Sequence, residues 1–175
     1  MINNKEARYY LRKAYRLAQH NSHDPRTQNG AVIVDPDNGK VIGMGVNCFP
    51  SGVHNYSERL ERPAKYAWME HAERNAIFWA AKNGNSTYGA IMYCPWFSCA
   101  DCARSIIQAG ISRVIGHKQV FEQYGSGPWD ESINIGNQMF KEAGVITELY
   151  DGEIGNDSKY LAQLEIMLNG SKWRP

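Results

Sequence analysis

Apolar positions along this chain recur with two different periods, and the switches between them lay out its elements. Ala7, Tyr10, Leu11, Ala14, Leu17 and Ala18 fall at three- and four-residue spacing, which predicts an amphipathic helix over about 5–20. Asn21-Ser22-His23-Asp24-Pro25 breaks it. Ala31-Val32-Ile33-Val34 and Val41-Ile42-Gly43-Met44-Gly45 flank the turn-rich Asp35-Pro36-Asp37-Asn38-Gly39, which predicts a β-hairpin. The helical period returns from His71 to Lys82, from Cys99 to Ala109 and from Trp129 to Glu142. Strands are expected between and after these helices at 90–93, 113–116 and 145–150. A final amphipathic helix is expected at about 157–168. Residues 47–70 carry no period, and a stretch of that length in a compact domain is usually functional or disordered.

The order is helix, hairpin, then three strands alternating with helices. Such crossovers imply parallel neighbouring strands covered on both faces. The expected fold is therefore α/β, a mixed sheet of about five strands that is antiparallel where the hairpin sits. With 175 residues the chain suits one domain over 1–175. It carries 19 Lys+Arg against 18 Asp+Glu, which argues against a polyanion groove but leaves room for a small anionic ligand. No apolar run is long enough to span a bilayer, and the first residues lack the apolar core of a signal peptide. Four cysteines without an export signal point to a reducing, cytoplasmic setting and to metal or catalysis rather than disulfides.

Two short motifs carry chemistry. His71-Ala72-Glu73 opens one predicted helix and Cys99-Ala100-Asp101-Cys102 opens the next. Two cysteines one helical turn apart can chelate one ion, and a helix N-terminus favours the thiolate. In a strand–helix–strand arrangement both helix starts lie at one sheet edge, so His71, Cys99 and Cys102 can converge on one zinc. Three protein ligands leave a fourth position for water, the mark of a catalytic rather than a structural site. Glu73 can border that position as general acid and base without binding metal. A lone Cys-x-x-Cys also occurs in redox pairs and half-sites, but Cys48 and Cys94 lie too far apart to complete a four-cysteine site. They read as buried small apolar residues.

His71-Ala72-Glu73-Arg74-Asn75-Ala76-Ile77, the segment Cys99 to Ile111 and Asp24-Pro25-Arg26-Thr27-Gln28-Asn29-Gly30-Ala31 together resemble the deoxycytidylate (dCMP) deaminases of the zinc-dependent cytidine deaminase superfamily. The resemblance covers about residues 8–150. It implies a three-layer α/β/α fold around a five-stranded sheet and hydrolysis of dCMP to dUMP and ammonia, supplying dUMP for thymidylate synthesis. It also implies a homohexamer without nucleic-acid or membrane partners. By motif position His71, Cys99 and Cys102 would hold zinc, Glu73 would shuttle protons, the Ala72 N–H would bind the pyrimidine O2 and Asn47 would contact the sugar. Two departures stand out. Ser98 replaces the family's usual Pro before the first cysteine, in a loop carrying Trp96 and Phe97 beside the base. Gly45-Val46-Asn47-Cys48 keeps only the Gly and Asn of the Gly-Tyr-Asn-Gly found in members that dCTP activates and dTTP inhibits.

Arg26, Arg59, Arg62, Lys65 and Lys82 are candidate partners for a 5′-phosphate, Arg26 first because it lies in a matched segment. Each also reads as a solvated surface cation. His54 reads as a plain loop histidine rather than a second metal ligand. Two other functions stay open on the sequence: the same chemistry on dCTP, a nucleoside, a free base or a polynucleotide base, and a non-enzymatic zinc-stabilised interaction module.

Overall fold

The computed structural model describes residues 3–124 and 129–155; the helix expected at 157–168 lies outside them. Helix α1 (Asn4–Asn21) opens on Asn3, whose side chain accepts from the Lys5 and Glu6 amides, the ordinary way to satisfy free N–H groups at a helix start. Strands β1 (Gly30–Val34), β2 (Val41–Val46), β3 (Ile91–Tyr93), β4 (Arg113–His117) and β5 (Ile146–Tyr150) form one sheet in the order β2-β1-β3-β4-β5. Strand β1 is antiparallel to both neighbours, whereas β3, β4 and β5 run parallel. The mixed sheet expected from the hairpin and crossovers is the one observed.

The sheet's two faces bury different partners, as the two-residue period requires. Val32, Val34, Tyr93 and Ile115 point toward Ala7, Leu11, Ala14 and Tyr15 of α1. Ala31, Ile33, Met92 and Val114 point to the opposite core, with Ala72, Ala76, Ala103, Ile106 and Phe140. These last residues belong to α3 (Ala72–Lys82), α4 (Ala100–Gln108) and α6 (Asp130–Ala143), so helices cover both faces. Ile33, Met92 and Ile106 are fully buried, and truncating any one to Ala should cost about 2–5 kcal/mol.

Residues 47–70 are not structureless. A 3₁₀ turn (Ser57–Leu60) and the short helix α2 (Lys65–Trp68) lie within them. An antiparallel bridge between Cys48 and Glu70 closes the base of the excursion, which returns the chain to the end of β2 as α3 begins. Helix α5 (Lys118–Tyr124) follows β4 with no intervening turn residue, which is why no break in the pattern announces it.

Gly45 fixes how α3 meets the sheet. A Cβ there would lie 2.2 Å from the Ala72 carbonyl oxygen and 2.3 Å from the Ala76 nitrogen. Only a residue without a side chain lets the first turn of α3 rest on β2.

Candidate functional site

Because β1 is antiparallel to β2 and β3, its start lies at the same sheet edge as their ends. Asn29, Asn47 and Cys94 therefore meet at one edge, where α3 and α4 also begin. His71 and Cys99 occupy the residue just before each helix, in extended backbone, and Cys102 sits in the first turn of α4. His71 Nδ1 lies 3.6 Å from Cys99 Sγ and 3.5 Å from Cys102 Sγ, and all three ligand atoms fall within 4.8 Å of one another. A tetrahedral ion with Zn–S of about 2.3 Å and Zn–N of about 2.0–2.1 Å sets an N···S edge of about 3.5 Å. The donors are thus already spaced for one zinc. Among the described residues this is the one such group.

Residues that bind metal cannot cap their own helices, and neither His71 nor Cys99 does. Both caps come from elsewhere. The Ala72 N–H donates to Asn47 Oδ1 at 3.0 Å, and the Ala100 N–H donates to Ser132 Oγ on α6 at 3.0 Å. One free amide at each helix start is thereby engaged without using a ligand side chain.

The electrostatics suit a dication. Hydrogen bonds from Cys102 and His71, against the opposing effect of burial, hold the Cys99 thiol down to about 4. Cys102 is pushed up, first by its hydrogen bond to Cys99 and then by burial. A cation is held by thiolates, so its binding would displace the protons these thiols carry. Burial lowers the pKa of His71, but the Cys99 hydrogen bond and the Glu73 charge outweigh it and leave it raised. The Arg74 guanidinium pairs with Glu70 and lies 3.7 Å from Asp101, placing a cation beside the thiolates. Glu73 is 2% exposed, and burial raises its pKa against the pull of His71. A raised carboxyl beside an open metal position is suited to taking up and returning a proton.

The substrate-side residues are less free than the sequence suggests. The Ala72 N–H expected on the pyrimidine O2 is held by Asn47, whose Nδ2 donates to the Thr27 carbonyl at 2.9 Å. Arg26 is at the surface and pairs with Glu61 at 2.9 Å. Lys65 is no surface cation: it is 4% exposed and bonds Asp24 at 2.5 Å, so it is unavailable to a phosphate. Arg59 stacks over Trp68 at 3.8 Å, Arg62 lies 6.0 Å from the Tyr66 ring and Lys82 is exposed. His54 packs on Tyr56 at 5.4 Å, outside the metal group. Cys94 is buried as expected, but Cys48 is half-buried and accepts from Asn75 Nδ2. Sequence reasoning missed Ser132 and understated Trp129, whose ring meets His71 edge-on at 5.8 Å. No local motif marks either, because both act across the fold from α6.

This α/β/α sandwich, with three metal donors at one sheet edge and a buried carboxylate beside them, defines a zinc hydrolase of the deaminase class. Residues 4–118 match the family model described as "Cytidine and deoxycytidylate deaminase zinc-binding region", and the chain belongs to that family. It is 39% identical over 124 residues to the uncharacterized deaminase in the luxG 3′ region of Aliivibrio fischeri, covering 71% of this chain and 80% of that one. It is 36% identical over 143 residues to the deoxycytidylate deaminase of Mus musculus, covering 78% and 75%. The crystal structure of the cyanophage S-TIM5 dCMP deaminase in complex with dCMP and dUMP superposes with a TM-score of 0.64 at 25% identity. It covers 85% of this chain and 100% of that one.

Proposed function

We propose that this protein is a deoxycytidylate deaminase that hydrolyses dCMP to dUMP and ammonia. The observation that carries the reading is the convergence of His71, Cys99 and Cys102 beside the buried Glu73, in a chain whose curated relatives include deoxycytidylate deaminases. His71 Nδ1 and the two thiolates would hold one zinc, which supplies when bound a Lewis acid that eases deprotonation of water. Glu73 takes the proton of the attacking water and delivers it to the ring N3. It then takes the remaining proton from the hydroxyl added at C4 and gives it to the 4-amino group, so the C4–N bond breaks, ammonia leaves and C4 keeps a carbonyl oxygen. The Ala72 N–H reads the pyrimidine O2 as a second acceptor, a sharing common at helix ends. Asn47 keeps one amide hydrogen and one lone pair for the sugar hydroxyl.

Contacts to the ring are common to cytosine, deoxycytidine and dCMP, so discrimination falls to the phosphate. Arg26 would exchange Glu61 for it. One charge-assisted contact contributes about 1.5–3 kcal/mol, or about ten- to a hundredfold in kcat/KM. We also read the enzyme as a cytoplasmic homohexamer. The exposed Tyr66, Trp68, Phe78 and Trp79 supply apolar surface for subunit contact. Because Val46 and Cys48 depart from the regulated motif, the response to dCTP and dTTP is weakened or altered. The deciding assay follows ammonia release and product identity with cytosine, deoxycytidine, dCMP and dCTP. A dCMP preference of at least tenfold over deoxycytidine, eroded in Arg26→Ala, supports the reading. Equal kcat/KM for the two overturns it.

A further inference from the structure

Two buried side-chain atoms at the catalytic edge lack a hydrogen-bond partner. One is Ser98 Oγ, on a residue 2% exposed; the other is Asn29 Oδ1, on a residue 6% exposed. Buried polar atoms left unpaired are costly, and each calls for an explanation: strain, a bound water or ion, or a ligand.

Their placement points to the last of these. Ser98 directly precedes Cys99, one of the three candidate metal donors. It lies near enough to Glu73 to favour the carboxylate without forming a well-directed hydrogen bond. Asn29 enters β1 from the same edge. Its backbone carbonyl accepts from the Asn47 N–H at 3.1 Å, and its Nδ2 donates to Cys94 Sγ at 3.2 Å. Cys94 in turn feels the Glu73 charge. Asn29 and Ser98 therefore both lie at the sheet edge that carries Glu73, each with a buried side-chain oxygen that has no hydrogen-bond partner.

An amide oxygen can only accept, so it needs a donor. In dCMP before reaction the cytosine ring offers one donor group, its 4-amino group, and the uracil product carries a carbonyl oxygen at that position instead. Resting on the deaminase reading above, we propose that Asn29 Oδ1 and Ser98 Oγ bind the 4-amino nitrogen and, with Glu73, receive it as it departs as ammonia. The departing nitrogen gains a hydrogen when Glu73 protonates it and the C4–N bond breaks. Ammonia then carries three hydrogens, and the three residues offer one acceptor each. Both contacts are strongest in the transition state, so their loss acts mainly on kcat. Asn29 also works against the product, because two acceptors face each other when dUMP is bound.

The test uses zinc-loaded Asn29→Val and Ser98→Ala, with Ser98→Thr as the variant that keeps the hydroxyl. For each, kcat and KM with dCMP, the competitive Ki of dUMP and the zinc content are measured. Each loss should lower kcat/KM about five- to tenfold, carried by kcat, with zinc retained. Ser98→Thr should stay near wild type, and Asn29→Val should leave the dUMP Ki unchanged or tighter. Weakening of dUMP in Asn29→Val to the same extent as dCMP would reduce the residue to a shape contact. Unchanged kinetics in both variants would assign the two atoms to a bound water. Wild-type enzyme inert toward dCMP would overturn the dCMP reading alone. The same variants would then be compared on the amino substrate it does convert and on its keto product.

Discussion

Replacing Lys65 with Met separates a structural role from a substrate role. Lys65 and Asp24 are both nearly inaccessible and bond at 2.5 Å. The pair ties α2 to the loop entering β1. Asp24 Oδ1 also accepts from the Arg26 and Thr27 amides at 2.9 and 3.1 Å, so the carboxylate is not wholly orphaned when the lysine goes. Breaking a buried pair from one side costs about 3–5 kcal/mol; with two amides remaining, the lower end, about 3 kcal/mol, applies. For a chain of this size each kcal/mol moves Tm by about 2–4 °C, so Lys65→Met should melt about 6–12 °C below wild type. Asp24→Asn combined with Lys65→Met removes both charges and should recover most of that loss. The assay is thermal unfolding of the zinc-loaded single and double variants, with kcat/KM for dCMP and deoxycytidine measured alongside. A Lys65→Met protein with wild-type Tm and no preference for dCMP would refute the argument and make Lys65 a phosphate ligand.

Glu73→Gln should keep zinc and fold while turnover falls by at least about 10²–10⁴-fold, the usual worth of a general acid–base group; near-wild-type turnover removes Glu73 from the mechanism. His117 is buried, accepts from Tyr15 at Nδ1 and donates from Nε2 to the Gly152 carbonyl, and burial holds its pKa below the usual range. Its contribution is therefore complete above the unfolded value of about 6.5 and is lost as pH falls below that, by up to about 1.4 kcal/mol per pH unit. Unfolding of wild type and His117→Phe between pH 7 and 5 checks this, and parallel curves contradict it. Gly45→Ala should lower both Tm and zinc affinity, because the added carbon meets backbone of α3 rather than a movable side chain; unchanged zinc affinity would show that α3 can lift without disturbing His71.

The candidate metal group was legible because its residues are local. His-x-Glu and Cys-x-x-Cys each lie within one helical start, and the alternation of strand and helix brings those starts to one edge. The hairpin was equally readable from Asp35 to Gly39. What the sequence hid is whatever acts across the fold. The pairing of Lys65 with Asp24 spans the aperiodic segment, so Lys65 looked like a surface cation. The occupation of the Ala72 N–H depends on where Asn47 sits after β2. Helix α5 escaped because β4 runs into it without a turn residue, and few of its residues are apolar.

The borrowed caps reach beyond geometry. Each metal-bearing helix is completed by a residue distant in the chain, Asn47 for one and Ser132 for the other. A peptide bearing either motif alone should therefore bind zinc poorly, and a chain cut before α6 would still carry every signature residue while lacking half of what orients them. Counting motif residues would pass such a fragment as whole. On the proposed reading metal capture is a property of the assembled sandwich, so loading should follow folding, and drift at position 132 should weaken the site with His71, Cys99 and Cys102 still in place.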